Sequence, residues 1–140
     1  MSDGTMHHLL RAAAVALCVG FATAAAAEGC GDDATQADLN ECAAKAYEAA
    51  DDARDAKYQA ILARLASDSD AAALLRAAEE AWVAYRDAEC TFATSAVSGG
   101  SIYPLVWAEC LTGLTKARTE TLDAYLSCEE GDTACPVPPQ

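Results

Sequence analysis

The chain has 140 residues, with 22 acidic against 9 basic side chains and a formal charge of −13. Such a surface repels nucleic acid and anionic lipid, and it favours basic proteins or cations as partners. The two histidines are His7 and His8, at the extreme N-terminus, and the cysteines number seven.

The first segment reads as an export signal. Met6-His7-His8-Leu9-Leu10-Arg11 is a short, weakly basic opening, and the apolar run from Ala12 to Ala26 is too short for a comfortable membrane span. Ala25-Ala26-Ala27 places small residues where a signal peptidase needs them, which predicts a signal over residues 1–27 cleaved before Glu28. The alternative is an uncleaved N-terminal anchor. Cleavage removes Asp3 and Arg11, leaving 8 basic and 21 acidic residues, so the charge stays at −13. It also removes Cys18 and both histidines.

What remains, residues 28–140, is the size of one small domain. It has no histidine, which excludes Ser-His-Asp and Cys-His nucleophiles and His-ligated zinc or copper. Its six cysteines, an even number in an exported chain, predict three disulfides and so no free thiolate. The expectation is a secreted or periplasmic protein that is not an enzyme, holds no metal or cofactor, and has no membrane span once the signal is removed.

Thr35 with Asp38 three residues later is a capping-box pattern. From there to about Ala66, apolar residues recur at helical spacing through Leu39, Ala43, Ala46/Tyr47, Ala50, Tyr58, Ile61/Leu62 and Leu65, with no proline or glycine. The acidic stretch around Asp51, Asp52 and Asp55 is the expected weak point of this long helix. Ser67-Asp68-Ser69-Asp70 is a turn rich in N-cap residues. A second helix is predicted from about Ala71 to Thr94, with a buried stripe of Leu74/Leu75, Ala78, Trp82, Tyr85 and Phe92. Ser95 to Ser101 breaks the pattern. Ser101 is the expected cap of a third helix, with Pro104 in its first turn, running to about Ser127. Its stripe is Leu105/Val106, Leu111, Leu114, Arg118, Leu122 and Tyr125. The tail, 128–140, contains Gly131, Pro136, Pro138 and Pro139 and reads as irregular. The fold class is therefore all-α: a small antiparallel three-helix bundle, core about 36–126, stapled by disulfides.

Cys90 near the end of helix two and Cys110 in helix three flank a glycine-serine turn that brings them together, and this bridge is predicted first. Cys128 and Cys135 would close a local tail loop, leaving Cys30 to pair with Cys42. The alternative pins a tail cysteine to Cys30 or Cys42. Arg86 and Asp87 point about 100° apart on a helix, so both cannot face the core. Arg86 then needs a carboxylate such as Asp51, Asp52 or Asp55, and Arg118 is expected to pair across the bundle. Trp82 and Tyr85 read as core aromatics. Asp51, Asp52 and Asp55 lack calcium-loop spacing and read as a solvated face. The segment Gly99, Gly100, Ser101, Ile102 and Tyr103 is the candidate partner-binding loop: a flexible glycine-serine turn with an exposed apolar and aromatic tip, held by the adjoining staple.

These residues resemble the LprI-type lysozyme-inhibitor family of small exported bacterial proteins. The resemblance rests on Gln36-Ala37-Asp38-Leu39-Asn40-Glu41-Cys42, Asp51, Tyr58 and the block Trp82-Val83-Ala84-Tyr85-Arg86-Asp87-Ala88-Glu89-Cys90. Gly99-Gly100-Ser101-Ile102, Cys110-Leu111 and Thr115-Lys116-Ala117-Arg118 complete it, over about residues 36–122. Family members usually carry Leu-Asn where this chain has Arg54-Asp55, and the Cys128 and Cys135 pair looks like an addition. The resemblance implies a helical fold and inhibition of lysozyme. The leading expectation is an acidic binding protein that occludes the cleft of that basic enzyme with the Gly99–Pro104 loop or a nearby helix face. The competing expectation is a cell-envelope structural or interaction module with no lysozyme target.

Overall fold

A computed structural model describes residue 31 and residues 33–139. It contains three helices, α1 (Gln36–Arg64), α2 (Ser69–Ala93) and α3 (Tyr103–Leu126), with a short 3-10 turn at Ser95–Val97 between the last two. There is no strand among the described residues. The expected signal segment and Cys30 lie outside the described residues.

α1 begins at the predicted capping box. Thr35 is the N-cap, its hydroxyl accepts from the Asp38 N–H, and the Asp38 carboxylate accepts from the Thr35 N–H at 2.9 Å. These bonds satisfy two donors that the first helical turn leaves orphaned. The helix does not break at its acidic middle. Asp51 is drawn into an ion pair with Arg54 one turn on, while Asp52 and Asp55 stay exposed to water, so each carboxylate is either paired or solvated. At the far end Arg64 donates to the Leu126 carbonyl at 2.7 Å, capping the end of α3 with a cation.

Cross-helix partners set the topology. Asn40 reaches Ser101, Lys57 pairs with Asp123 and Arg64 reaches Leu126, so α1 and α3 run in the same direction. Arg54 meets Glu79 and Arg86 meets Asp51, while Cys90 joins Cys110 and Glu79 meets Arg118. α2 therefore runs antiparallel to both neighbours, in an up-down-up bundle. α1 packs more closely on α3 than α2 does. Small buried residues, Ala43 and Ala50 in α1 and Ala108 in α3, are the kind that permit such backbone approach.

The apolar core sits at one end. Ile61 of α1 and Leu65 at its C-cap, Ala72 and Leu75 from α2, and Leu122 from α3 form it, and Val137 of the tail closes it at 2 % exposure. The tail is irregular, as expected, but it is part of the core. The Cys128–Cys135 disulfide turns the chain back so that Val137 can insert.

The structure corrects the predicted stripe of α2. Its buried residues are Ala72, Leu75, Glu79, Arg86 and Cys90. Tyr85 is 55 % exposed, Phe92 76 % and Leu74 73 %, Ala78 is exposed, and Trp82 is half-buried. The reason is geometric. Cys90 must face inward to reach Cys110, whose Cα lies 5.7 Å away. At about 100° per residue, Tyr85 then points about 140° from Cys90, Leu74 about 160° and Phe92 about 200°. Trp82, about 80° away, ends at the edge. The staple overrides the hydrophobic stripe.

A second correction concerns α3. Its N-cap is Ile102, which offers no capping side chain, and Pro104 lies in the first turn as expected. The Gly100 N–H donates to the Val97 carbonyl and the Tyr103 N–H to the Gly100 carbonyl, so the chain turns one residue later than a Ser101 cap requires.

Candidate functional site

Two regions emerge from the residues singled out by sequence. One is a layer of charge across the middle of the bundle. The other is the loop at the stapled end.

The layer centres on Glu79, whose side chain is 7 % exposed. Its carboxylate accepts from Arg54 Nη1 at 3.0 Å and from Arg118 Nε at 2.7 Å, tying all three helices together. Arg54 also donates from Nε to Asp51 at 3.1 Å. Arg86 donates from Nε and Nη2 to Asp87, at 2.9 and 2.8 Å, and its Nη1 lies 3.4 Å from Asp51. The Trp82 ring lies near two guanidinium groups, 5.7 Å from Arg54 and 5.2 Å from Arg86, and Arg86 also lies 5.4 Å from the Tyr47 ring. These are cation–π distances. Three arginines face three carboxylates, so the layer is formally neutral.

The electrostatics follow from that pairing. Burial acts to lower the Arg54 pKa, but Asp51 and Glu79 outweigh it and the net shift is upward. Arg54 is therefore a fixed cation, with no proton to exchange near neutrality. Burial pushes the Tyr47 phenol up, against the opposing pull of Arg86. Saturated ion pairs on rings describe a scaffold, and Asp51, expected on a solvated face, is drawn inward and committed to Arg54 and Arg86.

Sequence reasoning placed Arg86 against helix one and Arg118 across the bundle, and the geometry has both. Asp87 stays half exposed, and the Arg86 guanidinium folds back onto it. Tyr85 lies outside the layer. Glu79 and Arg54 were missed. The signal for Glu79 was its spacing: eleven residues before Cys90, it lies only about 20° from it around the helix. Arg54 was noticed only as a departure from the family pattern, and that departure supplies the second cation on Glu79.

The loop is less loose than its composition suggests. Gly99 has φ +80°, a left-handed conformation that favours glycine. A Cβ on Gly100 would sit 3.1 Å from the Val97 carbonyl oxygen, so this position too is tight. Asn40 Nδ2 donates to the Ser101 carbonyl at 3.0 Å, and Gln36 in turn donates to Asn40 at 2.9 Å, so α1 holds the loop from below. Gly99, Gly100 and Ser101 are exposed and Ile102 is 41 % exposed. Tyr103, expected at an exposed tip, is half-buried because it already begins α3. The Cys90–Cys110 disulfide closes the base of the turn. Cys42 is also disulfide-bonded, while the expected Cys30 half of its pairing lies outside the described residues.

No helix among the described residues is long and apolar enough to cross a membrane. The family described as lysozyme inhibitor LprI matches residues 26–122. An uncharacterized protein of Rhizobium meliloti (strain 1021) is 35 % identical over 138 residues, which cover 86 % of this chain and 99 % of that one. No solved structure matches.

Proposed function

Since the chain belongs to the LprI lysozyme-inhibitor family, we propose that it is an exported acidic binding protein that inhibits lysozyme by occluding its substrate cleft. The family match carries this reading. The loop Gly99–Tyr103 supplies the candidate contact: an exposed ridge ending in Ile102, with its ordering cost lowered in advance by the disulfide and by Asn40. The charge of −13 supports it as well, because an acidic surface approaching a basic enzyme gains association rate by steering. The same reading makes residues 1–27 a cleaved signal and places the protein outside the cytoplasm, where its disulfides persist.

The decisive measurement is lysis of bacterial cell walls by lysozyme, followed by turbidity, with the purified protein titrated in at low and at physiological salt. Inhibition is expected in both, with faster onset at low salt. Full lysozyme activity at micromolar excess of the protein in both buffers rejects the proposal. Ile102→Glu is expected to weaken inhibition without changing the circular dichroism spectrum, and an unchanged inhibition curve removes the loop from the contact.

A further inference from the structure

The outer face of α2 carries a feature that neither the bundle nor the inhibitor reading uses. Leu74, Ala78, Ala81, Tyr85, Ala88 and Phe92 follow one another at steps of four, three, four, three and four, and every one of them is exposed. That alternation is the spacing of a coiled-coil seam, whose natural occupant is another helix. Among the described residues nothing covers it, because the Cys90 staple turns it away from α1 and α3.

We propose that this seam pairs two copies of the chain, α2 against α2, antiparallel about a two-fold axis that passes between Ala81 and Tyr85, level with position 83. Three observations select a second copy. The first is mirror order in residue size. Reflected about position 83, Leu74 falls opposite Phe92, Ala78 opposite Ala88 and Ala81 opposite Tyr85. Each contact then joins two large side chains at the ends, two small ones further in, or a small one with a large one beside the axis. A self-complementary patch of this kind is what a two-fold interface requires.

The second is charge. On a molecule of −13, two copies can approach only where carboxylates are not brought face to face. No charged residue lies on the line itself. Of the acids nearest it, Asp70 falls beyond the end of the mirrored partner stripe, and Glu89 comes opposite alanine 77 of the second copy. A basic partner would want the reverse, a face rich in acids. The third is length. From Leu74 to Phe92 the seam spans about 27 Å of helix, five turns of continuous contact. The pairing leaves the Gly99–Tyr103 loops at opposite ends of the dimer, so it is compatible with the proposed inhibition and does not depend on it.

Sedimentation equilibrium of the purified, oxidised protein tests this. The mass is expected to rise from one chain to two between micromolar and submillimolar concentration, and to do so more readily in higher salt, which screens copy-to-copy repulsion. Ala81→Glu buries an unpaired charge beside the axis and is expected to weaken association by about an order of magnitude or more. Adding Tyr85→Lys to it restores association, because Glu at 81 then faces Lys at 85 of the second copy, twice. In a parallel pair the double variant would set like against like and stay monomeric. Both positions are exposed, and circular dichroism checks that the bundle is intact. A single-chain mass at every concentration overturns the proposal, as does an Ala81→Glu protein that associates like the parent. A double variant that stays monomeric overturns the antiparallel register.

Discussion

Glu79 is the residue on which the charged layer depends. It is buried, and it is the carboxylate that Arg54 and Arg118 share. Removing one member of a buried ion pair leaves the other uncompensated, at about 3–5 kcal/mol. Glu79→Ala is therefore expected to cost that much in urea denaturation. Arg54→Leu should cost clearly less, because Glu79 keeps Arg118 and Asp51 keeps Arg86. Equal losses in the two variants would contradict this account of the layer. Asp38 offers a pH test. The Thr35 hydroxyl and backbone N–H hold its carboxyl below the ordinary 3.8. A depressed folded pKa gives stability that is present above the unfolded value and lost as the pH falls through the folded one. Asp38→Asn should thus lower the melting temperature at neutral pH, and the gap should narrow as the pH falls below 3.8 and close once it passes the lowered folded value. At this scale the sequence was legible where the pattern is local. Thr35 and Asp38 could be read as a cap because the bond spans three residues. Glu79 could not be read as a hub, since its partners lie 25 and 39 residues away and depend on how α2 is rotated.

At the scale of elements, the helices were legible and the faces were not. Turn residues and caps fix where a helix starts and stops, and the bounds of α1, α2 and α3 fall within about two residues of those expected. Periodicity says that a helix has an apolar side but not what covers it. α2 has two candidate sides, one with Leu74, Tyr85 and Phe92 and one with Leu75, Glu79 and Cys90. A covalent bond decided between them. With a separation of 20 residues, Cys90–Cys110 is expected to contribute about 3 kcal/mol by restricting the unfolded chain. The Cys90→Ala/Cys110→Ala double variant should lose about that in denaturant titration and also release the rotation of α2. Fluorescence of Trp82, beside Arg54 and Arg86, reports that release in a Trp107→Phe background. The tail was legible as a disulfide loop but not as core. Nothing in a proline-rich segment marks one valine as buried. Val137→Ala removes two buried methyl groups and should cost about 1.5 kcal/mol, whereas Val137→Ala in a tail that merely hung in solvent would cost nothing.

For the whole molecule the question is where the charge of −13 resides. The layer around Glu79 balances three arginines, Arg54, Arg86 and Arg118, against Asp51, Glu79 and Asp87, so the entire excess lies outside it. Two surface pairs, Lys45 with Glu41 and Lys57 with Asp123, set little against that excess, since exposed pairs are worth at most about 1 kcal/mol each. Self-repulsion among surface carboxylates then opposes the compact state, and the ions that screen it stabilise the fold. The melting temperature is accordingly expected to rise as sodium chloride is raised from a few millimolar to a few hundred. Buried pairs are screened far less than surface charges, so the layer should not reverse that trend. The same salt should slow association with a basic enzyme, whose approach the surface charge accelerates. Stability and association rate should move in opposite directions along one salt titration. A melting temperature that fell with salt would mean that surface ion pairs, and not net repulsion, govern the balance of charge in this fold.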